Sequence, residues 1–346
     1  MDTAPLRIGF IGAGGIARQR HLPGLRAVEG VELTAVANRS RASGEQVAAE
    51  WGFATVCDDW RDVIDRDDVD AVFIAAPPYL HCDATIAALD AGKHVFCQAR
   101  MARTYAEARR MYERARRSDL VTMLCPPPHA MKGDYVVKRL IAEGALGTVY
   151  QVVSRGLSAT FADPAAPLHW RQDAFLSGYN TLELGMHIEV LHRWVGYFDS
   201  ISAHTAYSIP RRARPGSVQQ VEVRIADSVG VVGTLKNGAL AVLHLSGVAR
   251  HAGEKRLELY GSRGSIVYSI DTNRIMVGGL DGEPREVPIP PDQERVWSAE
   301  ADFVAAIRTG TPVTPDFEEG LRYMEVTEAI YRSARTGQRV QLPLAD

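Results

Sequence analysis

Apolar and polar positions change their period along this chain. Short apolar runs come first: Leu6 to Ile11, Val31 to Ala37, Val56, Ala71 to Ala75, His94 to Cys97 and Leu120 to Leu124. Segments of helical spacing separate them: a glycine-rich turn leading to about Val28, Arg41 to Trp51, Trp60 to Ile64, His81 to Ala91, and a long helix from Thr104. Gly92 stands where a left-handed residue closes a helix, and Thr104 with Glu107 reads as a capping box. Strands alternating with helices at this spacing predict an α/β fold, a doubly wound parallel sheet of the Rossmann type. Pro126-Pro127-Pro128 breaks the alternation, which places a domain boundary there: 1–125 and 126–346.

Beyond the prolines a helix is expected at Tyr135 to Ala142, and strand-like runs then dominate. They are Val149 to Ser154, Ser200 to Tyr207, Val218 to Ala226, Val229 to Lys236, Ala239 to Val248, Lys255 to Tyr260, Ser265 to Ser269 and Arg274 to Val277. Asn237-Gly238 between two of them signals a hairpin. One helix, Thr181 to Val195, interrupts. The second domain is therefore expected to be α+β, a large and mostly antiparallel open sheet with helices on one face. The closing helices, Ala299 to Thr309 and Glu318 to Thr336, belong to it or pack back on the first domain.

With 346 residues, 46% of them hydrophobic, the chain can bury two substantial cores. A net charge of -3 gives no reason to expect nucleic acid, and no helix-turn-helix or basic arm is evident. Seven arginines between Arg100 and Arg117 alternate with Glu107 and Glu113, the pattern of a solvated helix face. Cys57, Cys82, Cys97 and Cys125 show no metal-ligand spacing and read as buried thiols of a reducing compartment. The first strand begins within a few residues of Met1, which leaves no room for a signal peptide, and no apolar run approaches the roughly 18 residues that span a bilayer. A cytoplasmic protein is expected, with no metal and no membrane partner.

Candidate chemistry begins at Gly12-Ala13-Gly14-Gly15-Ile16-Ala17, a G-x-G-x-x-A sequence between a strand and a helix. Gly12 permits the tight turn, Gly14 and Gly15 let backbone approach a pyrophosphate beside Ile16, and Ala17 allows close packing. About 20 residues on, where an acidic side chain would hold the ribose of NAD, stand Asn38-Arg39-Ser40. They offer donors to a 2′-phosphate, so NADP is favoured over NAD, unless Arg39 merely stacks on adenine and either cofactor fits. Ala76 and Pro77 end the fourth strand, at the edge where ligands sit in such sheets.

The stretch Ala91-Gly92-Lys93-His94-Val95-Phe96-Cys97-Gln98-Ala99-Arg100 carries a family resemblance. It is similar, without gap, to A-G-K-H-V-x-x-E-K-P of the glucose-fructose oxidoreductase/inositol dehydrogenase (Gfo/Idh/MocA) family. The fingerprint, the Trp170-Arg171 and Gly178-to-His187 segments, Trp194, Gly196 and the turn from Tyr260 to Ser265 extend the resemblance along most of the chain. It implies an NAD(P)-dependent oxidoreductase of sugars, polyols or related hydroxy or keto compounds. It also implies that His81 and Gln98 lie near the cofactor. The departures cluster at the chemistry. Gln98 fills the glutamate slot, Ala99 the slot of the lysine that steadies the substrate oxygen, and Arg100 the proline slot. Losing one preorganised donor of this kind costs about 3–4 kcal/mol.

Glu183 and His187 are spaced i, i+4 and share a helix face, the arrangement of a base with an orienting partner or of a plain surface pair. By resemblance, His187 is the acid/base group and Glu183 the acid that positions sugar hydroxyls. Tyr179, in a usual glycine slot, is a third catalytic candidate. Ala99, Arg100, His129, Trp170 and Arg171 are expected on the substrate side, with His169 beside them. Two other functions stay open: a non-catalytic dinucleotide or sugar sensor, and a lyase or glycosidase-like reaction through transient oxidation. Strands such as Ala239 to Leu245 and Lys255 to Tyr260, apolar at alternate positions, predict a homodimer or homotetramer through an uncovered sheet face.

Overall fold

A computed structural model describes residues 4–126, 131–179 and 182–345 of the chain. The chain divides into two compact units. The first runs to Pro126 and includes Phe175–Gly178 and Ser298–Arg322; the second takes the segment ending at Ala174, then Tyr179–Trp297 and the residues from Tyr323 onward.

Six parallel strands build the first unit: β1 (Leu6–Ile11), β2 (Val31–Ala37), β3 (Thr55–Cys57), β4 (Ala71–Ile74), β5 (His94–Cys97) and β6 (Thr122–Leu124). Their order in the sheet is β3-β2-β1-β4-β5-β6, so the winding reverses between β1 and β4. The doubly wound Rossmann sheet expected from the alternation is present. β4 is buried at every position, as a strand covered on both faces must be. Phe10, Phe73 and Phe96 lie opposite one another on β1, β4 and β5. Their rings stack at 5.5 and 4.5 Å, and Phe303 from the helix Ala299–Thr309 meets the last two edge-on. Each such contact adds about 0.5–1.5 kcal/mol beyond area burial.

The arginine-rich helix Tyr105–Ala115 is a solvated face: Arg109 pairs with Glu113 and Arg114 with Asp90. Thr104 caps it by accepting from the Glu107 amide, but the reciprocal half of the expected capping box is displaced. Glu107 instead takes the amide and guanidinium of Arg103. All four cysteines are buried and unpaired.

The second unit holds a nine-stranded mixed sheet, ordered β16-β15-β14-β13-β7-β12-β11-β8-β17. The strands of this unit, of which β9 and β10 lie outside that sheet, are β7 (Val149–Leu157), β8 (Phe198–Ala206), β9 (Arg211–Ala213), β10 (Gln220–Glu222), β11 (Ser228–Leu235), β12 (Leu240–Ser246), β13 (Arg256–Gly261), β14 (Ser265–Ser269), β15 (Arg274–Gly278), β16 (Arg285–Val287) and β17 (Val340–Gln341). Neighbours are antiparallel except β7 and β12. The Asn237-Gly238 hairpin joins β11 to β12, with Gly238 at φ +87°. The run Val218 to Ala226 is not one long strand. Its central residues form β10, which pairs with β9 in a separate ribbon, and β9, β16 and β17 are too short to show a period.

The alternation in β12 and β13 also has another cause than the one expected. Ala241, Leu243, Leu245, Leu257 and Leu259 are the core face and are fully buried. The other face carries a mixed row, Ser202, Val232, Val242, Val153, Glu258, Val267 and Met276, in register across seven strands. No described helix is long and apolar enough to cross a membrane.

Candidate cofactor and substrate sites

In the first unit the carboxyl ends of β1, β2, β4 and β5 collect the predicted cofactor residues on one sheet edge, because parallel strands must all end on the same side. Gly12 has φ +84°, and a Cβ there would meet the Ala76 amide nitrogen at 2.5 Å. The turn after β1 thus needs glycine both for its backbone angle and for its contact with the loop after β4. Gly14 and Gly15 are exposed; a Cβ on Gly15 would meet nothing within 4 Å, and one on Gly14 only the Gly12 carbonyl at 4.0 Å. This open cradle beside Ile16 fits a pyrophosphate. When bound, a nicotinamide dinucleotide would supply a hydride acceptor or donor.

Asn38 is turned inward. Its Oδ1 accepts from the Ala13 amide at 2.7 Å, and its Nδ2 donates to the Ser43 hydroxyl and carbonyl. It braces the glycine turn, so its amide is not a spare donor for a 2′-phosphate. Ser40 caps the helix Arg41–Trp51 through the Ser43 amide. Arg39 is exposed.

His81 is completely buried, with Nε2 2.7 Å from the Ala76 carbonyl and Nδ1 2.9 Å from that of Arg100. It ties the loop after β4, with Ala76 and Pro77, to the turn after β5, and burial lowers its pKa. In that second turn Ala99 is half-buried, the Ala99–Arg100 peptide is cis, and Arg100 donates to the Ser177 hydroxyl.

Gln98 leads to a pair that sequence reasoning missed. Its Oε1 is 2.6 Å from His21 Nε2, and His21 Nδ1 is 2.5 Å from Glu300 Oε1. The His21 and Glu300 side chains are 0% and 1% exposed. Burial opposes charge on the imidazole, but hydrogen bonding to Cys125 and Glu300 outweighs it and raises the His21 pKa to about 10. An i, i+4 rule finds no such pair, because the partners are 279 residues apart.

In the second unit Val152, Ser154 and Gly156 share one face of β7 by the period of two. The helix Leu184–Val195 lays His187 over them. His187 is fully buried, with Nδ1 2.7 Å from Ser154 Oγ, and a Cβ on Gly156 would lie 2.8 Å from Nε2. Among the described residues Nε2 has no hydrogen-bond partner; Glu183 Oε2 lies 3.9 Å away. Glu183 is 43% exposed and bound by Lys255 Nζ at 2.8 and 2.9 Å. Partial burial raises the Glu183 pKa, but the nearby His187 ring and the hydrogen-bonded Lys255 ammonium prevail and bring it to about 2. The pair expected from the i, i+4 spacing is thus a chain of four: Ser154, His187, Glu183 and Lys255. A serine and a glycine breaking the inward apolar face of β7 signal the first link in the sequence. Lys255 carries no local signal.

Tyr179 is exposed, its ring 5.0 Å from that of Tyr331 and outside this chain of four. Trp170 is half-buried and stacks under the Arg171 guanidinium at 4.2 Å. His169 caps that short turn by accepting from the Arg171 amide. His129 lies outside the described residues.

Comparison with known proteins adds to this geometry. Residues 6–124 match the profile of the oxidoreductase family, NAD-binding Rossmann fold, and residues 138–342 that of the oxidoreductase family, C-terminal alpha/beta domain. Levoglucosan dehydrogenase of Pseudarthrobacter phenanthrenivorans is 28% identical over 336 residues, covering 86% of each chain. 1,5-Anhydro-D-fructose reductase of Ensifer adhaerens is 27% identical over 340 residues, 97% of this chain and 98% of the other. A solved levoglucosan dehydrogenase in complex with NADH and levoglucosan superposes with TM-score 0.89 at 27% identity, over 99% of this chain and 100% of that one.

Proposed function

The chain belongs to this oxidoreductase family, with its NAD-binding Rossmann domain and C-terminal alpha/beta domain, and on that premise we propose that it interconverts a secondary alcohol and a ketone on a sugar ring, with His187 as general acid/base. The observation that carries this reading is His187 Nε2, without a hydrogen-bond partner among the described residues and buried beside Glu183 while Ser154 fixes the other ring nitrogen. In the oxidising direction Nε2 would take the proton of the substrate hydroxyl, and a nicotinamide dinucleotide, when bound, would supply the hydride acceptor. Glu183 stabilises the imidazolium so formed. Such proton transfer contributes about 10²–10⁴-fold in rate.

The substrate class follows from what related proteins act on. Levoglucosan and 1,5-anhydro-D-fructose are rings without a free anomeric hydroxyl. We infer an anomerically blocked sugar for this chain as well, with Ala99, Arg100, Trp170, Arg171 and Tyr179 as candidate substrate residues. The test is a panel of anhydro sugars, glycosides, free aldoses and polyols with NAD and NADP, followed by nicotinamide absorbance. Turnover of blocked sugars above free aldoses supports the reading; cofactor binding with no turnover on any member favours a sensor instead.

For the cofactor, the cradle at Gly12, Gly14, Gly15 and Ile16 serves either dinucleotide. The preference for NADP rests on Arg39, since the Asn38 amide is occupied within the fold. The open row from Ser202 to Met276 is the face we assign to a second copy of the chain. A Val232→Glu change at this half-exposed position should leave a monomer in sedimentation, and a wild type already monomeric would defeat the assignment.

A further inference from the structure

We propose that Lys255 is a positioning residue for proton transfer: its ammonium holds Glu183 beside His187 and offsets the carboxylate charge, so that His187 can release a proton as readily as take one. This rests on the reading of His187 as the acid/base group.

The resembled motif has its lysine at position 99, and this chain has alanine there. A carboxylate beside an imidazole with no compensating cation would stabilise the imidazolium and slow the half of the cycle in which the proton must leave. Lys255 is placed to prevent this. Its Nζ sits 2.8 and 2.9 Å from the two Glu183 oxygens, and one of these is the oxygen 3.9 Å from His187 Nε2. The backbone of Lys255 is pinned on both sides. Its amide donates to Asp271 Oδ2 at 2.8 Å, and its carbonyl accepts from the Ile270 amide at 2.9 Å. The side chain is 22% exposed.

β13 lies directly against β7, with Leu257 opposite Ser154. Lys255, two residues earlier, is therefore on the same face as the serine that anchors the imidazole. Other charged groups on these elements have partners of their own. Glu254 pairs with Arg256, Glu189 with Arg193, and Asp134 with Arg193 and Arg295; the Arg155 guanidinium donates to the Glu254 carbonyl. Among the described residues, Lys255 is the cation that reaches Glu183.

A lone ion pair at this exposure contributes little to stability, so the folded state should survive its loss and the site can be read directly. Two readouts are needed. In protein labelled at the histidine rings, with the His187 signal identified by its loss in His187→Gln, Lys255→Met should raise the His187 titration midpoint by about one pH unit. Lys255→Arg should return it to the parent value. In turnover of a sugar accepted by the parent, Lys255→Met should lower kcat about 10- to 100-fold with KM changed less than about threefold, and Lys255→Arg should recover most of the loss. A His187 midpoint unmoved by Lys255→Met, or Arg and Met variants behaving alike, overturns the proposal. If no sugar is turned over by the parent but the midpoint moves, the coupling of Lys255 to His187 stands, while the dehydrogenase reading and with it the role in proton transfer fall. If His187→Ala abolishes turnover while Lys255→Met changes neither readout, the dehydrogenase reading stands and the Lys255 role falls.

Discussion

His21 with Glu300 and His187 with Glu183 are the same two residue types in two different settings. In the first unit the ring nitrogens of His21 are both engaged, by Glu300 and Gln98, and the pair is sealed from solvent. A histidine so held keeps its proton and passes it nowhere. In the second unit Ser154 holds one ring nitrogen of His187, the other has no partner among the described residues, and Glu183 is partly exposed. Residue type does not separate a structural ion pair from the pair proposed here for acid/base work. The occupancy of the second ring nitrogen does.

The largest expected effect breaks the second pair. His187→Ala should lower kcat by about 10²–10⁴-fold, measured on whichever sugar the parent accepts; a loss below tenfold would move the acid/base role elsewhere. Breaking the first pair should act on folding. Glu300→Ala leaves a buried imidazolium unpaired and should cost about 3–5 kcal/mol in urea unfolding. Glu183→Ala, at a site 43% exposed, should cost no more than about 1 kcal/mol. Equal costs for the two would erase the distinction.

The pairs should also lose their contributions at opposite ends of the pH scale. Folded His21 has its pKa raised from 6.5 to about 10, so the folded state keeps a proton that the unfolded chain releases. Its contribution is complete below 6.5 and disappears as pH rises through about 10. Folded Glu183 has its pKa lowered from 4.5 to about 2, so its contribution is present above 4.5 and disappears as pH falls through about 2. Unfolding free energy followed from neutral to alkaline pH should decline in the parent and flatten over that window in His21→Gln.

A smaller effect concerns the cofactor. Arg39→Ala should weaken NADP by about 1.5–3 kcal/mol in fluorescence titration and leave NAD nearly unchanged; equal losses would mean that Arg39 stacks on adenine. Least of all, Ala99→Lys should bring no gain in turnover if Lys255 supplies the cation, as proposed. Restored or increased hydride transfer in that variant would show that position 99 still lacks its donor.

Much of this molecule is legible from the chain because its signals are local. The continuous apolar runs of β1 and β4, the left-handed glycine after β1, the Asn237-Gly238 hairpin and the i, i+4 spacing of Glu183 and His187 all act within a few residues, where backbone geometry leaves few choices. Short strands such as β9, β16 and β17 are not legible, since two or three residues show no period and their pairing comes from neighbours. Asn38 looked like a donor for a ligand, but it braces the turn 25 residues earlier, a role that needs β1 and β2 side by side. The alternation of β12 and β13 specified an apolar face, and only packing decided that this face is the core. His21 meeting Glu300 across 279 residues and Lys255 meeting Glu183 across 72 are likewise products of tertiary structure. A side chain's sequence neighbours fix its direction from the backbone; what it meets there is set by segments that the fold brings from elsewhere.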